Sequence, residues 1–152
     1  MKLWIDGDAA PRPVKEIVFR AAQRLQLKAV LVANQQIWIP PHNPFVEVMR
    51  VEGGPDEADR YIAENAEAGD LAVTADIPLA AILVQKQVAV IDPRGEEYTP
   101  ENVGERLSVR DFMDSMRGAG LQTPVSMPYG AKEKQAFASA FDRVLQRALR
   151  KR

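Results

Sequence analysis

Residues 2–8 read Lys2-Leu3-Trp4-Ile5-Asp6-Gly7-Asp8, a short apolar run that stops at an acidic, glycine-containing turn. A strand buried within a parallel sheet has this form, a near-continuous hydrophobic stretch with polar residues only at its end. Working outward, Pro13 is placed to open a helix, and Val14, Ile17, Val18, Ala21, Ala22 and Leu25 recur on one helical face. Lys28–Ala33 reads as a second strand. The stretch from Asn34 to Pro44 holds three prolines and reads as a loop, followed by a third strand over Val46–Val51. Gly53-Gly54-Pro55 breaks the chain before a helix from Asp56 to Ala68, with Ala58, Ile62 and Ala66 on one side. Leu71–Thr74 is a fourth strand, Pro78–Lys86 a helix, and Val88–Ile91 a fifth strand. This alternation predicts a three-layer α/β/α fold around a five-stranded, mostly parallel sheet.

No strand is expected beyond Pro93. Thr99-Pro100-Glu101 resembles a helix start, and Ser108 with Asp111 resembles a capping box. Val109, Phe112, Met113 and Met116 then supply an apolar face, ended by Gly118 or Gly120. A connector runs over residues 118–130. A last helix over 131–152 turns Phe137, Ala138, Phe141, Val144, Leu145 and Ala148 inward. The expectation is one domain over 1–152, with the sheet and its helices in 1–117 and a helical C-terminal appendage.

Composition narrows the chemistry. The chain has 152 residues, 46% hydrophobic and 27% charged, with no cysteine and a single histidine, His42. Disulfides, thiol nucleophiles and thiolate metal sites are excluded, and a multi-histidine zinc site or a Ser-His-Asp triad is disfavoured. Carboxylates remain, and they suit hard cations that prefer oxygen. No apolar run approaches the ~20 residues that span a bilayer. Met1 leads into a strand without a signal-like segment, so a cytoplasmic address is expected. Charge is uneven. Lys132, Lys134, Arg143, Arg147, Arg150, Lys151 and Arg152 face only Glu133 and Asp142 in residues 130–152, so an otherwise acidic chain ends in a basic segment. Such a segment suits a polyanion partner, or simply complements the dipole at a helix end.

The positions of the acids are the informative feature. Asp6 and Asp8 follow the first strand, Asp76 the fourth and Asp92 the fifth, while Asp56 and Asp59 open the helix before the fourth strand. Sites in open parallel sheets form beyond the carboxyl ends of the strands, where strand order reverses. In the order 3-2-1-4-5 that point lies between strands 1 and 4, which would gather Asp6, Asp8 and Asp76. Clustered carboxylates repel one another, so stability gives no reason to assemble them. Binding Mg²⁺ or Mn²⁺ does. For Asp56 and Asp59, capping a helix N-terminus is an equal alternative, and Asp92 before Pro93 is a turn former first. Lys15, Arg20, Asn34 and Arg94 are candidate phosphate contacts. Trp4 and Trp38 are assigned to packing, and His42 to no role.

At WIDGDAAP (4–11), GGPDEADRYI (53–62), TADIPLA (74–80), DPRGEEYT (92–99) and RLSVRDFM (106–113), the chain resembles the YaiI/YqxD family of uncharacterised bacterial proteins. That family is similar to the PIN-like nucleases, whose fold is a 3-2-1-4-5 parallel sheet between helices. The resemblance implies hydrolysis of RNA or DNA by an acidic cluster on Mg²⁺ or Mn²⁺. It places the first-strand acid at Asp6 with Asp8 as companion, the middle-helix acid at Asp56 or Asp59, and the acid after the Val-Thr strand at Asp76. Asp92 is a weaker match for a fourth acid. Relatives usually read Asp-Ala-Asp-Ala-Cys-Pro at the first motif, where this chain carries Gly7 and Ala10.

The leading expectation is therefore a metal-dependent nuclease, with RNA ahead of DNA as substrate. Asp6 and Asp76 would hold the metal, and Asp8 and Asp59 would bind it through water or position the nucleophile. Two alternatives remain: a phosphatase using Asp6-Gly7-Asp8, and a non-catalytic module that binds nucleic acid or protein. The oligomeric state stays open.

Overall fold

The computed structural model describes residues 1–35, 39, 40, 42–54, 56–118, 120 and 128–151. Trp38 and most of the 118–130 connector lie outside them. The elements run β1 (Lys2–Asp6), α1 (Arg12–Leu25), β2 (Lys28–Ala33), β3 (Val46–Arg50), α2 (Asp56–Asn65), β4 (Leu71–Val73), α3 (Ile77–Gln85), β5 (Ala89–Ile91), β6 (Glu97–Tyr98), α4 (Val103–Gly118) and α5 (Ala131–Arg150). The sheet has six strands in the order β3-β2-β1-β4-β5-β6. Its first five are parallel in the expected order, with Asp6 level with Val32 and Ile5 level with Val73.

Strand alternation sorts the two faces. Leu3, Ile5, Ala29 and Leu31 pack with Val14 and Val18 of α1 and Phe137, Phe141, Val144 and Leu145 of α5. Trp4, Val30 and Val32 pack instead with Ala58 and Ile62 of α2 and Leu79 and Leu83 of α3. Asp6 follows Trp4 by two residues, so it points to the α2/α3 side at the carboxyl end of the sheet. α5 is no appendage. Its buried Phe137 and Phe141 rings stack at 5.5 Å and complete the α1 layer.

Two expectations change. The sheet has a sixth strand, β6, antiparallel to β5 with Val90 opposite Tyr98 and Ile91 opposite Glu97. Two residues carry no alternation to read. The turn that makes the strand is legible only in space, where the Asp92 carboxylate accepts the N–H groups of Arg94 and Glu96, both at 2.9 Å. Helix α4 is one continuous helix rather than one starting at Ser108. The Ser108 hydroxyl donates to the Gly104 carbonyl inside it at 3.1 Å. Thr99 and Asn102 form the reciprocal turn ahead of it, each side chain accepting the other's N–H. Its supposed inward face also points out, with Val109 55% and Phe112 64% exposed.

Candidate functional site

The carboxyl end of β1 carries Asp6, which is 8% exposed. Burial raises its carboxyl pKa above the usual range, and the charges of Asp8 and Asp76 push it further. The N–H groups of Asp8 and Ala9 offset part of this. Asp8, one turn on, is exposed, and its carboxylate accepts the N–H of Asn34 at 2.7 Å and of Gln35 at 3.4 Å. The loop after β2 is thereby pinned to the loop after β1. Asp76 caps α3, accepting the Leu79 N–H at 2.8 Å, while its own N–H donates to Thr74 Oγ1 at 3.0 Å.

Asp59 reaches the same place from the first turn of α2. Burial, then the Asp76 and Asp6 charges, then a hydrogen bond shared with Asp76 and the Asp56 charge push its pKa up to about 7. Asp56 is exposed at the rim. Lys15, half-buried in the first turns of α1, is the cation that senses this cluster. Burial lowers its pKa, while Asp8 and Asp6 pull it back up. The fold thus brings together Asp6, Asp8, Asp56, Asp59, Asp76 and Lys15, with the Asn34 main chain alongside.

Mutual influence is not yet ligation. Among the described residues no three acidic or histidine side chains converge tightly enough to hold one ion. The hydrogen bonds explain why: Asp76 is turned to the α3 N-terminus and Asp8 to the β2 loop. Coulombic interaction extends well beyond the ~2 Å reach of metal coordination. The donor chemistry suits a hard divalent cation, but Asp59 and Asp76 must turn to bind one.

Other candidates lie elsewhere. Arg20 is exposed and lines a separate 310 Å³ pocket with Phe19, His42 and Asn43. Arg94 faces Glu133 at 3.7 Å and lies over the Tyr129 ring, fixing the start of α5 to the β5–β6 turn. Asp92 serves that turn, as expected of a residue before proline. Trp4 is buried, as expected.

Asp70, which no strand-end pattern in the sequence singles out, is 6% exposed and accepts three N–H groups, from Lys2, the Trp4 indole and Glu67. The signal was Trp4, a buried indole that needs an acceptor. Asp70 sits at the opposite end of the sheet from Asp6. A cleft of 720 Å³ is at that far end too, lined by Asp70, Gln87, Tyr98, Arg147 and Lys151 among others. It does not hold the mutually perturbing carboxylates, which gather at the other edge. The basic end of α5 also lies at the far end, with Arg147 bonded to Glu97 of β6. No helix among the described residues is long and apolar enough to cross a membrane.

Comparison with known proteins agrees with the motifs. A protein from Syntrophobacter fumaroxidans, named UPF0178 protein, is 53% identical over 94% of this chain and 93% of its own length. One from Myxococcus xanthus with the same name is 51% identical over 99% and 97%. The UPF0178 protein YaiI of Escherichia coli is 48% identical over 94% and 93%. No solved structure matches. The profile described as "Uncharacterized BCR, YaiI/YqxD family" matches residues 4–147, and the chain belongs to that family.

Proposed function

We propose that the aspartate cleft binds Mg²⁺ or Mn²⁺ and hydrolyses phosphodiester bonds in nucleic acid, RNA ahead of DNA, on a PIN-like domain formed by residues 1–152. The observation that carries this reading is the raised pKa of Asp59 and Asp6, caused first by burial, then by Asp76 and Asp6 at Asp59 and by Asp8 and Asp76 at Asp6. Folding gains nothing from that repulsion, whereas a bound cation removes it. The order of the five parallel strands supports the reading, since the cleft lies where that order reverses between β1 and β4.

Asp6 and Asp76 are assigned to hold the ion, with Asp8 and Asp56 at its margin. A divalent cation there would supply charge neutralisation and polarise a phosphoryl oxygen. Asp59, which loses its proton only near neutral pH, is placed to accept a proton from water. Lys15 is placed to meet a phosphate oxygen. The looseness of the carboxylate set favours one other reading, a module of the same fold that binds nucleic acid without cutting it.

Time courses on labelled single-stranded RNA and DNA separate the two. The proposal expects cleavage that needs Mn²⁺ or Mg²⁺ and falls at least about a hundredfold in Asp6→Asn and Asp76→Asn. Binding without cleavage, whatever the metal, establishes the module instead.

A further inference from the structure

Among the described residues of α4 none is buried, although Val109, Phe112, Met113 and Met116 make one apolar stripe. A helix that covers no core needs another reason for such a stripe. Its position supplies one. Where α4 meets α3, a groove of 560 Å³ is lined by Ile77, Glu105, Arg106, Val109, Arg110 and Met113 among others. Ile77 is the first residue of α3 and follows Asp76, which caps that helix. One peptide unit, about 3.8 Å between Cα atoms, therefore separates the groove wall from an aspartate of the cleft. Charge reaches Tyr98 from Arg106 and from Asp76 alike, so both lie within electrostatic range of one ring.

Cations edge the stripe on one side. At 3.6 residues per turn, Arg106 and Arg110 stand about 60° and 100° to one side of Val109, and Phe112 about 60° to the other. Phe112 is exposed and, three residues on, is the surface neighbour of Val109. Asp111 and Asp114, which face Arg110 at 3.7 and 3.5 Å, lie about 140–160° from Val109, at the back of the helix. Glu96, the partner of Arg106, belongs to the β5–β6 turn, and Glu105 is the one carboxylate of the lining. These pairs are exposed and weak, and each guanidinium keeps further donors for a phosphate. The groove has the volume of a small-molecule site, about 300–1,000 Å³. A nucleic-acid strand carries both features that this surface complements, a planar apolar base and a phosphate. A duplex keeps its bases inside the stack, out of reach of such a platform.

We propose that this groove seats the nucleotide flanking the scissile phosphate, with its phosphate on Arg106 and Arg110 and its base on Val109 and Phe112, so that the substrate is single-stranded. This rests on the phosphodiester reading of the cleft. It adds strandedness and a direction, from the aspartates past the start of α3 to α4.

Fluorescence anisotropy on the full chain tests it, with Ca²⁺ in place of Mn²⁺ to suppress turnover. The ligands are labelled octauridylate, an RNA duplex of the same length, and an abasic octamer that keeps only sugar and phosphate. Octauridylate should bind at least about fivefold tighter than either of the others, the share of one stacked base. Phe112→Ala should remove that advantage and leave the abasic strand within about twofold of wild type. Arg110→Ala should shallow the log–log salt dependence of octauridylate by about 0.7, the share of one single-strand phosphate. Phe112→Ala must keep the wild-type melting temperature, as an exposed side chain should. Equal binding of the three ligands, binding of none, or an affinity for octauridylate indifferent to Phe112 overturns the inference. So does sedimentation in which Phe112→Ala turns a dimer into a monomer, since a second copy then occupies the face. Mn²⁺-dependent cleavage of RNA by a chain indifferent to Phe112 leaves the nuclease reading standing without the groove. Phe112-dependent binding without cleavage keeps the groove and removes the nuclease.

Discussion

Asp59 shows how a single residue reports on the site. Its folded pKa of about 7 stands well above the ~3.9 of an unfolded aspartate. Below pH ~4 both states hold the proton, and the residue is neutral to stability. As pH rises toward 7 the unfolded chain releases it first, so stability falls, and above 7 the full penalty is present. Asp59→Asn should therefore stabilise the metal-free protein at pH 8, by on the order of 1 kcal/mol after allowing for solvent screening, with the gain shrinking toward pH 5. Thermal melts at the two pH values check this, and a constant difference between them would refute it. Asp6, Asp8 and Asp76 were legible because each ends a strand pattern, and strand ends in a parallel sheet share an edge. Asp70 was not. Its three N–H partners come from positions 2, 4 and 67, and only the pairing of β1 with β4 unites the first two with it.

Among the elements, β1 to β5 could be read because each buried strand is an apolar run bounded by polar or turn residues. β6 depends instead on the turn before it. Gly95 there has φ +94°, and a Cβ on it would lie 2.7 Å from the Ala136 carbonyl oxygen of α5. Gly95→Ala should therefore cost roughly 2 kcal/mol or more, a fall of about 4–8 °C in melting temperature. Gly104→Ala is the matched control, since Gly104 lies within α4 with nothing near its Cβ position. It should gain about 0.5–1 kcal/mol from helix propensity alone. Loss at Gly104 or neutrality at Gly95 in the same melts would refute the assignment of the turn. Helix α4 shows a limit of periodicity. Spacing revealed that Val109, Phe112, Met113 and Met116 share a side of the helix, but a hydrophobic stripe looks the same whether it faces a core or solvent. Packing decided it: Val109 and Met113 line a groove with Ile77 where α4 meets α3, yet Val109 stays 55% and Phe112 64% exposed.

For the whole molecule, the near-zero net charge conceals a polarity along the strands. Carboxylates gather at one edge of the sheet, and the basic end of α5 lies at the other. Sequence revealed both charge groups but not their separation, which follows from α5 running from the β5–β6 turn down to Glu97. Whether the acidic edge takes a cation decides the function proposed for it. Melting temperature with and without millimolar Mn²⁺, on wild type and Asp76→Asn, tests this most directly. A ligand at a hundred times its dissociation constant adds about 2.7 kcal/mol, roughly 5–10 °C for a chain of this size. Wild type should show that rise. Asp76→Asn should match or exceed the metal-free wild type, because Asn still accepts the Leu79 N–H while the repulsion is gone, and should show no rise. A wild type indifferent to millimolar Mn²⁺, together with an Asn variant that loses stability, would contradict the account and leave Asp76 as a helix cap alone.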